Sequence, residues 1–189
     1  MSQTASTTAK PAFGPLRLQN SSLVLRIGAV IAGTMLLTLS SYIEVPMFPV
    51  PMTMQTLAVT MIGALYGWRL GAATIVAWLV EGAMGLPVLA GGMGGLHLFV
   101  GPTAGYLFAF PLAGALTGWL AERGWNGKRV LLAFAAMLLG NALCLVLGAA
   151  WLAVLMDAEK AVMLGVVPFA IGAIVKSALG AAMLKALAR

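Results

Sequence analysis

The sequence predicts an all-α integral membrane protein with six transmembrane helices and ordered outer loops. Of the 189 residues, 61% are hydrophobic and 8% are charged, whereas soluble domains are about one-quarter charged. The apolar runs lack the alternation of an outer-membrane barrel and approach the length of about 20 residues that a spanning helix needs. Basic residues stand in ones and twos between these runs, which is typical of membrane topology and not of a nucleic-acid interface.

Residues 1–22 are polar and rich in Ser and Thr, which predicts a flexible cytoplasmic tail. The apolar run that follows continues to full spanning length, so we do not expect a cleaved secretory signal. Residues 23–189 are therefore expected to form one transmembrane domain of six helices.

The first span is predicted over residues 23–43. It carries small residues at helical spacing, which let another helix approach closely, either a neighbouring span or a partner subunit. These residues are Gly28, Ala29, Ala32 and Gly33. Prolines at positions 46, 49 and 51 then predict an extended loop on the face opposite the N-terminus.

The other spans are predicted over residues 52–66, 70–84, 102–120, 130–147 or somewhat beyond, and from residue 168 onwards. Asp157, Glu159 and Lys160 interrupt the segment before the sixth span, which predicts an outer turn and a short interfacial helix. Six spans put both termini on the side that holds nine basic residues, whereas the opposite side holds Lys160 alone. The positive-inside rule therefore predicts cytoplasmic termini in a bacterial cytoplasmic membrane.

Residues 85–103, the glycine-rich segment, interrupt the apolar pattern with six glycines and two prolines. Glycine suits a backbone that turns sharply or that lets another group approach closely. Two interpretations stay open: a plain connection between spans, or a loop that covers a ligand. In the second, the candidate ligand contacts are Gly91, Gly92, Met93, Gly94 and Gly95.

Lys176 is the cation that topology does not explain, because it lies eight residues into the sixth span, roughly 12 Å from its start. A lysine at this depth is costly unless it faces a cavity or a counter-charge, which makes it a functional candidate. The alternative is a lysine that snorkels to the interface. We favour an anionic ligand group, a carboxylate, reached from the outer side. Glu81, near the outer end of the third span, pairs with Lys176 or a ligand amide, or is an interfacial anion.

Other polar and aromatic side chains near the outer face are binding candidates. Gln55 and Thr53 offer amide and hydroxyl groups beside the proline loop. Asn141, in the middle of the fifth span, either joins two helices or meets a ligand. Tyr106 and Trp151 are typical of interfacial anchors, and their rings also suit packing on a ligand.

Several kinds of site find no support in the sequence. The single cysteine, Cys144, allows no intramolecular disulfide, and the single histidine, His97, excludes a multi-histidine metal site. Lys176, Glu81 and His97 lack the spacing of a nucleophile, a base and an orienting group. We therefore expect neither an enzyme nor a bound cofactor or metal. The chain also has no P-loop, so an ATP-driven process would need its nucleotide site on another subunit.

Four segments resemble, in order and spacing, the BioY family: VPMFPVPMTMQTLAVTMIGALYG, EGAMGLPVLAGGMGGLHLFVGPTAGYLFAFPLAGALTGWLAERG, GNALCLVLGAAWLA and PFAIGAIVKSALG. This family comprises the biotin-specific substrate-binding S components of energy-coupling-factor (ECF) transporters. The resemblance covers residues 23–187 and implies a six-helix bundle that binds biotin under its first and third outer loops. It also implies a transmembrane T component and two cytoplasmic ATPase subunits, docked through small residues of the first span. Whether the chain works without these subunits, and whether it forms a homo-oligomer, stays open.

The resemblance also implies roles for individual residues. Lys176 matches the lysine of the family's G-D-x-x-K pattern and would meet the valerate carboxylate of biotin. The family's frequent aspartate is replaced by Ala173, which makes Glu81 a candidate substitute. The candidates for the ureido ring are Gln55, Asn141 and the backbone of the glycine-rich segment, and those for the thioether ring are Met93, Tyr106 and Trp151. The alternative cargo is another small vitamin that bears a carboxylate.

Overall fold

The computed structural model describes residues 21–188, together with Leu16 and Leu18, so the predicted N-terminal tail lies almost wholly outside the described residues. Within this part the chain forms seven α-helices: α1 (Leu23–Ser41), α2 (Gln55–Tyr66), α3 (Trp68–Ala83), α4 (Ala104–Glu122), α5 (Val130–Leu155), α6 (Ala158–Gly165) and α7 (Val167–Leu187). Two short strands, β1 (Glu44–Val45) and β2 (Met52–Thr53), form an antiparallel hairpin. The glycine-rich segment contains two 3-10 turns, Ala90–Gly92 and Leu96–Phe99.

The all-α membrane architecture is confirmed. Helices α1 to α5 and α7 follow the order of the six predicted spans, and α6 is the predicted short helix. Four segments of the described chain are long and apolar enough to cross a membrane: Leu23–Ser41, Ala104–Glu122, Val130–Leu155 and Ala158–Leu187. Helices α2 and α3 are shorter, with 12 and 16 residues. They measure about 18 and 24 Å, less than the about 30 Å hydrocarbon core.

Helix α2 begins at Gln55, not at residue 52, because the residues before it pair in the hairpin. Glu44 pairs with Thr53, and the Met54 N–H donates to the Ile43 carbonyl at 3.0 Å. We call this end of the bundle, which carries the hairpin (residues 44–53) and the glycine-rich segment, the hairpin end.

Helix α4 is the centre of the bundle and packs against α2, α3 and α5. Glycines permit this packing, because a Cβ on Gly63 of α2 would overlap the backbone of Gly114 on α4. A Cβ on Gly118 would likewise overlap the backbone of Gly63. Trp78 and Phe110 fill the neighbouring core, with ring centroids 6.1 Å apart. The helices that carry the central side chains are therefore closely packed.

Helix α1 lies at the edge of the bundle and packs on α3 and α2. Its small residues face two ways. Gly33 faces inward, where a Cβ would meet Thr74 and Tyr66. At Gly28 no atom of the described residues lies within 4 Å of a Cβ, and Ala32 is exposed. Gly33 therefore serves internal packing, whereas Gly28 and Ala32 lie on an open face.

The short helix α6 is fixed at both ends. Asp157 caps its N-terminus by accepting the Lys160 backbone N–H at 2.9 Å, and its carboxylate pairs with the Lys160 ammonium at 3.0 Å. The backbone hydrogen bond, above all, holds the pKa of Asp157 below its ordinary value. At the other end, the Tyr106 hydroxyl on α4 donates to the Gly165 carbonyl at 2.8 Å. This bond ties the turn between α6 and α7 to the central helix.

Gly63→Ala tests the close contact between α2 and α4. The added methyl group would overlap the Gly114 backbone, and overpacking of this kind costs about 1–3 kcal/mol. We expect the apparent Tm of the purified chain in detergent to fall by several degrees. Gly28→Ala is the matched control, because its methyl group would point into open space and alanine favours helix. Equal Tm values for the two variants would contradict this packing.

Candidate ligand-binding site

A buried cavity lies at the hairpin end, between α2, α4, α5 and α7. Its volume is about 60 Å³, several times the about 10–15 Å³ that one water molecule needs. Most of its wall is apolar. The polar residues that line it are Thr53, Gln55, Thr56, Thr103, Asn141 and Lys176.

Lys176 lies nine residues after the start of α7, and only 9% of its surface is exposed. Its ammonium group donates to the Thr53 carbonyl at 2.8 Å and to the Thr56 hydroxyl at 3.1 Å. The side chain therefore turns into the cavity and does not snorkel. An ammonium group has three N–H donors, and these two bonds leave one for a ligand.

The predicted pair between Glu81 and Lys176 is not formed. Glu81 lies outside the cavity lining, near the end of α3, and no lining residue in the described part of the chain is acidic. Glu81 is only half-buried. Its position along the span suggested a role, but its side of α3 does not face the cavity. The lysine is instead held by two neutral acceptors.

Gln55, at the first turn of α2, presents an unused donor. Its own backbone N–H donates to the Thr53 hydroxyl at 3.3 Å, and that hydroxyl donates to Gln55 Oε1 at 3.0 Å. In this arrangement the amide oxygen is the end that is bonded to Thr53. Nε2 is buried and has no hydrogen-bond partner among the described residues. A buried donor without a partner costs about 1–3 kcal/mol, so a polar ligand atom would stabilise it.

Asn141 is 2% exposed and lines the cavity from α5. Its Nδ2 donates to the Met137 carbonyl at 3.0 Å and to the Ser177 hydroxyl at 3.1 Å. Both predicted positions of Asn141 therefore apply, because it joins α5 to α7 and also borders the cavity. Ser177 directly follows Lys176, so the polar groups of α5 and α7 lie at the same end of the cavity.

Aromatic and aliphatic side chains form the remaining walls. The rings of Tyr106 and Phe169 lie 6.4 Å apart, and Phe110 lines the same cavity. Tyr106 is buried and is thus a wall residue, not an interfacial anchor. Cys144 is also a buried wall residue. Ala173, at the position of the family's aspartate, leaves its place in the wall apolar.

The glycine-rich segment covers the cavity, as in the second interpretation of the sequence. Its lining side chains are Leu89, Ala90, Met93, Leu98 and Thr103, and Met93 is 44% exposed at the rim. The predicted glycines lie outside the lining. Gly91 faces the Glu44 carboxylate and Gly92 faces the Tyr42 ring; Gly94 packs on the Leu86 carbonyl, and the Gly95 N–H donates to the Gly82 carbonyl at 2.7 Å.

The glycines of the segment therefore lie outside the cavity lining and shape the backbone of the cover. Gly91 and Gly92 have φ values of 63° and 71°, which residues with a side chain rarely adopt. They turn the chain so that its apolar neighbours point into the cavity.

Trp151 also lies outside the lining. Its Nε1 donates to the Gly101 carbonyl at 2.9 Å, and its Cβ packs closely on Gly105. The residue supports the start of α4 from behind the cavity wall. The sequence does not reveal which side of α5 carries Trp151.

Several lining residues were not predicted. Thr56 directly follows Gln55 in the PVPMTMQTL motif, and Phe169 follows the proline near the start of the last span, so both stood in segments already singled out. Phe110 and Leu145 also lie in segments that resemble the family, but they look like ordinary apolar residues of a span. Within the described residues, no three His, Cys, Asp or Glu side chains come together as a metal site.

The chain is similar to proteins of known type. The model of the BioY family matches residues 10–189. Biotin transporter BioY of Rhizobium etli is 40% identical over 116 residues, which are 58% of this chain and 62% of that protein. Biotin transporter BioY of Thermotoga maritima is 40% identical over 90 residues, 48% of this chain and 53% of that protein. The match thus covers less than two-thirds of these two relatives.

A further relative matches over a longer stretch. Biotin transporter BioY2 of Lactococcus lactis is 32% identical over 135 residues, which are 71% of this chain and 72% of that protein. The fold is similar to a crystal structure of the S-component for biotin from an ECF-type ABC transporter, with a TM-score of 0.77 at 23% identity. That similarity covers 89% of this chain and 94% of the other. From the family match and the relatives together, this chain belongs to the BioY family.

Proposed function

We propose that this chain binds biotin in the cavity at the hairpin end and serves its uptake across the membrane as the S component of an ECF-type transporter. The observation that carries the proposal is the unpartnered Nε2 of Gln55, which lines the same mostly apolar cavity as Lys176. Biotin has a matching distribution of groups: its thioether ring and chain are apolar, and its ureido group and carboxylate form two polar ends. Family membership supports the same cargo.

Binding and transport fit the site better than catalysis does. Glu81 and His97, the other residues considered as an acid or base, do not line the cavity. Lys176 is held by a carbonyl and a hydroxyl, with no acidic lining residue beside it in the described chain. Such a site supplies hydrogen bonds and charge to a bound molecule but no nucleophile with an adjacent base.

The proposal includes the orientation and the partners. The hairpin end would face outward in a bacterial cytoplasmic membrane, because Arg69, Lys128 and Arg129 lie near the opposite end. A T component and two ATPase subunits would supply the energy. Their docking face on α1 would be the open surface that carries Gly28, Ala32 and the half-buried Ala29.

Lys176→Met tests the proposed cargo site. Methionine keeps most of the apolar volume but removes the ammonium group, and losing a charge-assisted hydrogen bond in a buried site costs about 1.5–3 kcal/mol. We expect labelled biotin to bind the purified variant at least about tenfold more weakly. Lys185→Met is the matched control on the same helix, because Lys185 is exposed and far from the cavity.

Competition measurements separate biotin from the alternative cargoes. Unlabelled biotin should displace the label from the wild-type chain, and desthiobiotin should also compete because it keeps the ureido ring. Other carboxylate-bearing vitamins should not compete at the same concentration. The cargo proposal fails if the folded wild-type chain binds no biotin, or if an unrelated vitamin displaces it more strongly.

Gly28→Leu tests the proposed partner face. The leucine would project from the open side of α1 and block the close approach of another helix. We expect unchanged biotin binding by the purified chain but reduced uptake in cells that contain the energising subunits. Exposed Val24, one turn earlier on the same helix, provides a Val24→Leu control. Undiminished uptake by the Gly28 variant would rule out this face as the docking surface.

A further inference from the structure

We infer that Ser177 orients the Asn141 amide so that the polar end of the cavity recognises the ureido ring of biotin. The inference rests on the proposed function. It assigns a positioning role to a residue that does not itself line the cavity, and it fixes which end of the ligand lies at Lys176.

The Ser177 hydroxyl has its single proton committed. Its Oγ donates to the Ala173 carbonyl at 2.7 Å, one turn back on α7, and the residue is 0% exposed. A hydroxyl has one donor, so towards Asn141 this oxygen can only accept. It therefore requires the nitrogen end of the Asn141 amide and would repel the oxygen end.

Both protons of the Asn141 amide are then used. One goes to Ser177 Oγ at 3.1 Å and the other to the Met137 carbonyl at 3.0 Å. No hydrogen bond within the described part of the chain uses Oδ1. Because Asn141 lines the cavity, its contribution there is an acceptor and not a donor.

Hydrogen-bond donors, which complement the Asn141 acceptor, come from α2 and α7. Gln55 Nε2 is an unpartnered donor, and the ammonium group of Lys176 has one donor left. Thr53 joins the two, because its carbonyl accepts from Lys176 and its hydroxyl donates to Gln55 Oε1. One end of the cavity thus presents two donors and one acceptor.

A cyclic urea matches this pattern and a carboxylate does not. The ureido carbonyl oxygen accepts from Gln55 and Lys176, while an adjacent ring N–H donates to Asn141 Oδ1. The ammonium group polarises the carbonyl, which makes the ring N–H a stronger donor. A carboxylate has only acceptor atoms and would face Oδ1 with like polarity. We therefore place the valerate carboxylate towards Met93 at the rim, unlike the expectation from the resemblance.

The test uses the two lactam analogues of biotin in which one or the other ring N–H is replaced by CH2. In the wild-type chain, the analogue that lacks the N–H facing Asn141 leaves Oδ1 without a donor. We expect it to bind at least about tenfold more weakly than the other analogue. In Ser177→Ala only the Met137 carbonyl still requires the nitrogen end of the amide, so the amide is held less firmly and this ratio should fall below its wild-type value by at least about threefold.

The ratio of the affinities for the two analogues distinguishes a positioning role from a general structural effect, because a structural effect would weaken the binding of both analogues alike. Ser40→Ala is the matched control: Ser40 is buried and donates to a backbone carbonyl of its own helix at 2.7 Å, but it lies outside the cavity lining. It should keep the wild-type ratio. Asn141→Ala removes the acceptor itself and should abolish the difference in affinity between the two analogues. This variant keeps the test available if Ser177→Ala does not fold.

A wild-type ratio near one, with tight biotin binding, would overturn the inference and leave the proposed function standing. A wild-type ratio retained in Ser177→Ala would overturn the positioning role. No biotin binding by the folded wild-type chain would instead reject the proposed function. A final measurement compares biotin with biotin amide. If the wild-type chain binds the amide more weakly than biotin and this difference disappears in Lys176→Met, then Lys176 meets the carboxylate and the assigned orientation is wrong.

Discussion

The hydrogen bonds from the Lys176 ammonium group to the Thr53 carbonyl and the Thr56 hydroxyl are the interaction on which the rest of the site depends. They join the last helix to the start of α2, 123 and 120 residues apart in the chain. A cation in the hydrocarbon region is tolerated only where protein groups or a cavity receive it. Here two neutral acceptors receive it, and the remaining donor faces the space where a ligand would lie.

Rigid packing keeps that arrangement in place. The close contact of Gly63 with Gly114 brings α2 onto the central helix, and the Asn141–Ser177 bond at 3.1 Å joins α5 to α7. The donors and the acceptor are thus carried by helices, whereas the cover is a loop. Sites held on helices keep their geometry more exactly than sites on loops, which suits recognition of a small rigid ring. The glycine-rich segment adds apolar contact from above.

The sequence predicted the helices well because hydrophobic length and charge placement report directly on membrane spans. It also identified Lys176, since depth along a span is a property of the sequence alone. It placed Glu81 and Trp151 less well, because depth does not reveal which side of a helix faces the cavity. The orientation of the Asn141 amide was beyond sequence reasoning, as it depends on two acceptors, the Met137 carbonyl and the Ser177 hydroxyl on another helix.

The resemblance supplied the family and the proposed cargo, and the structure supplied the polarity of the site. The glycine-rich segment shows the difference between the two kinds of information. Its composition suggested a loop that covers a ligand; in the structure Gly91 and Gly92 serve the backbone turn, and their apolar neighbours Leu89 and Met93 line the cavity. A motif thus located the loop, whereas backbone geometry decided which of its residues line the cavity.

The measurement that tests the central claim most directly is a structure of this chain with biotin bound. The account predicts the bicyclic ring inside the cavity, with its ureido oxygen within about 3.2 Å of Lys176 Nζ and Gln55 Nε2. The valerate chain should run towards Met93. Biotin bound outside this cavity, or inside it without contact to Lys176, would contradict the account.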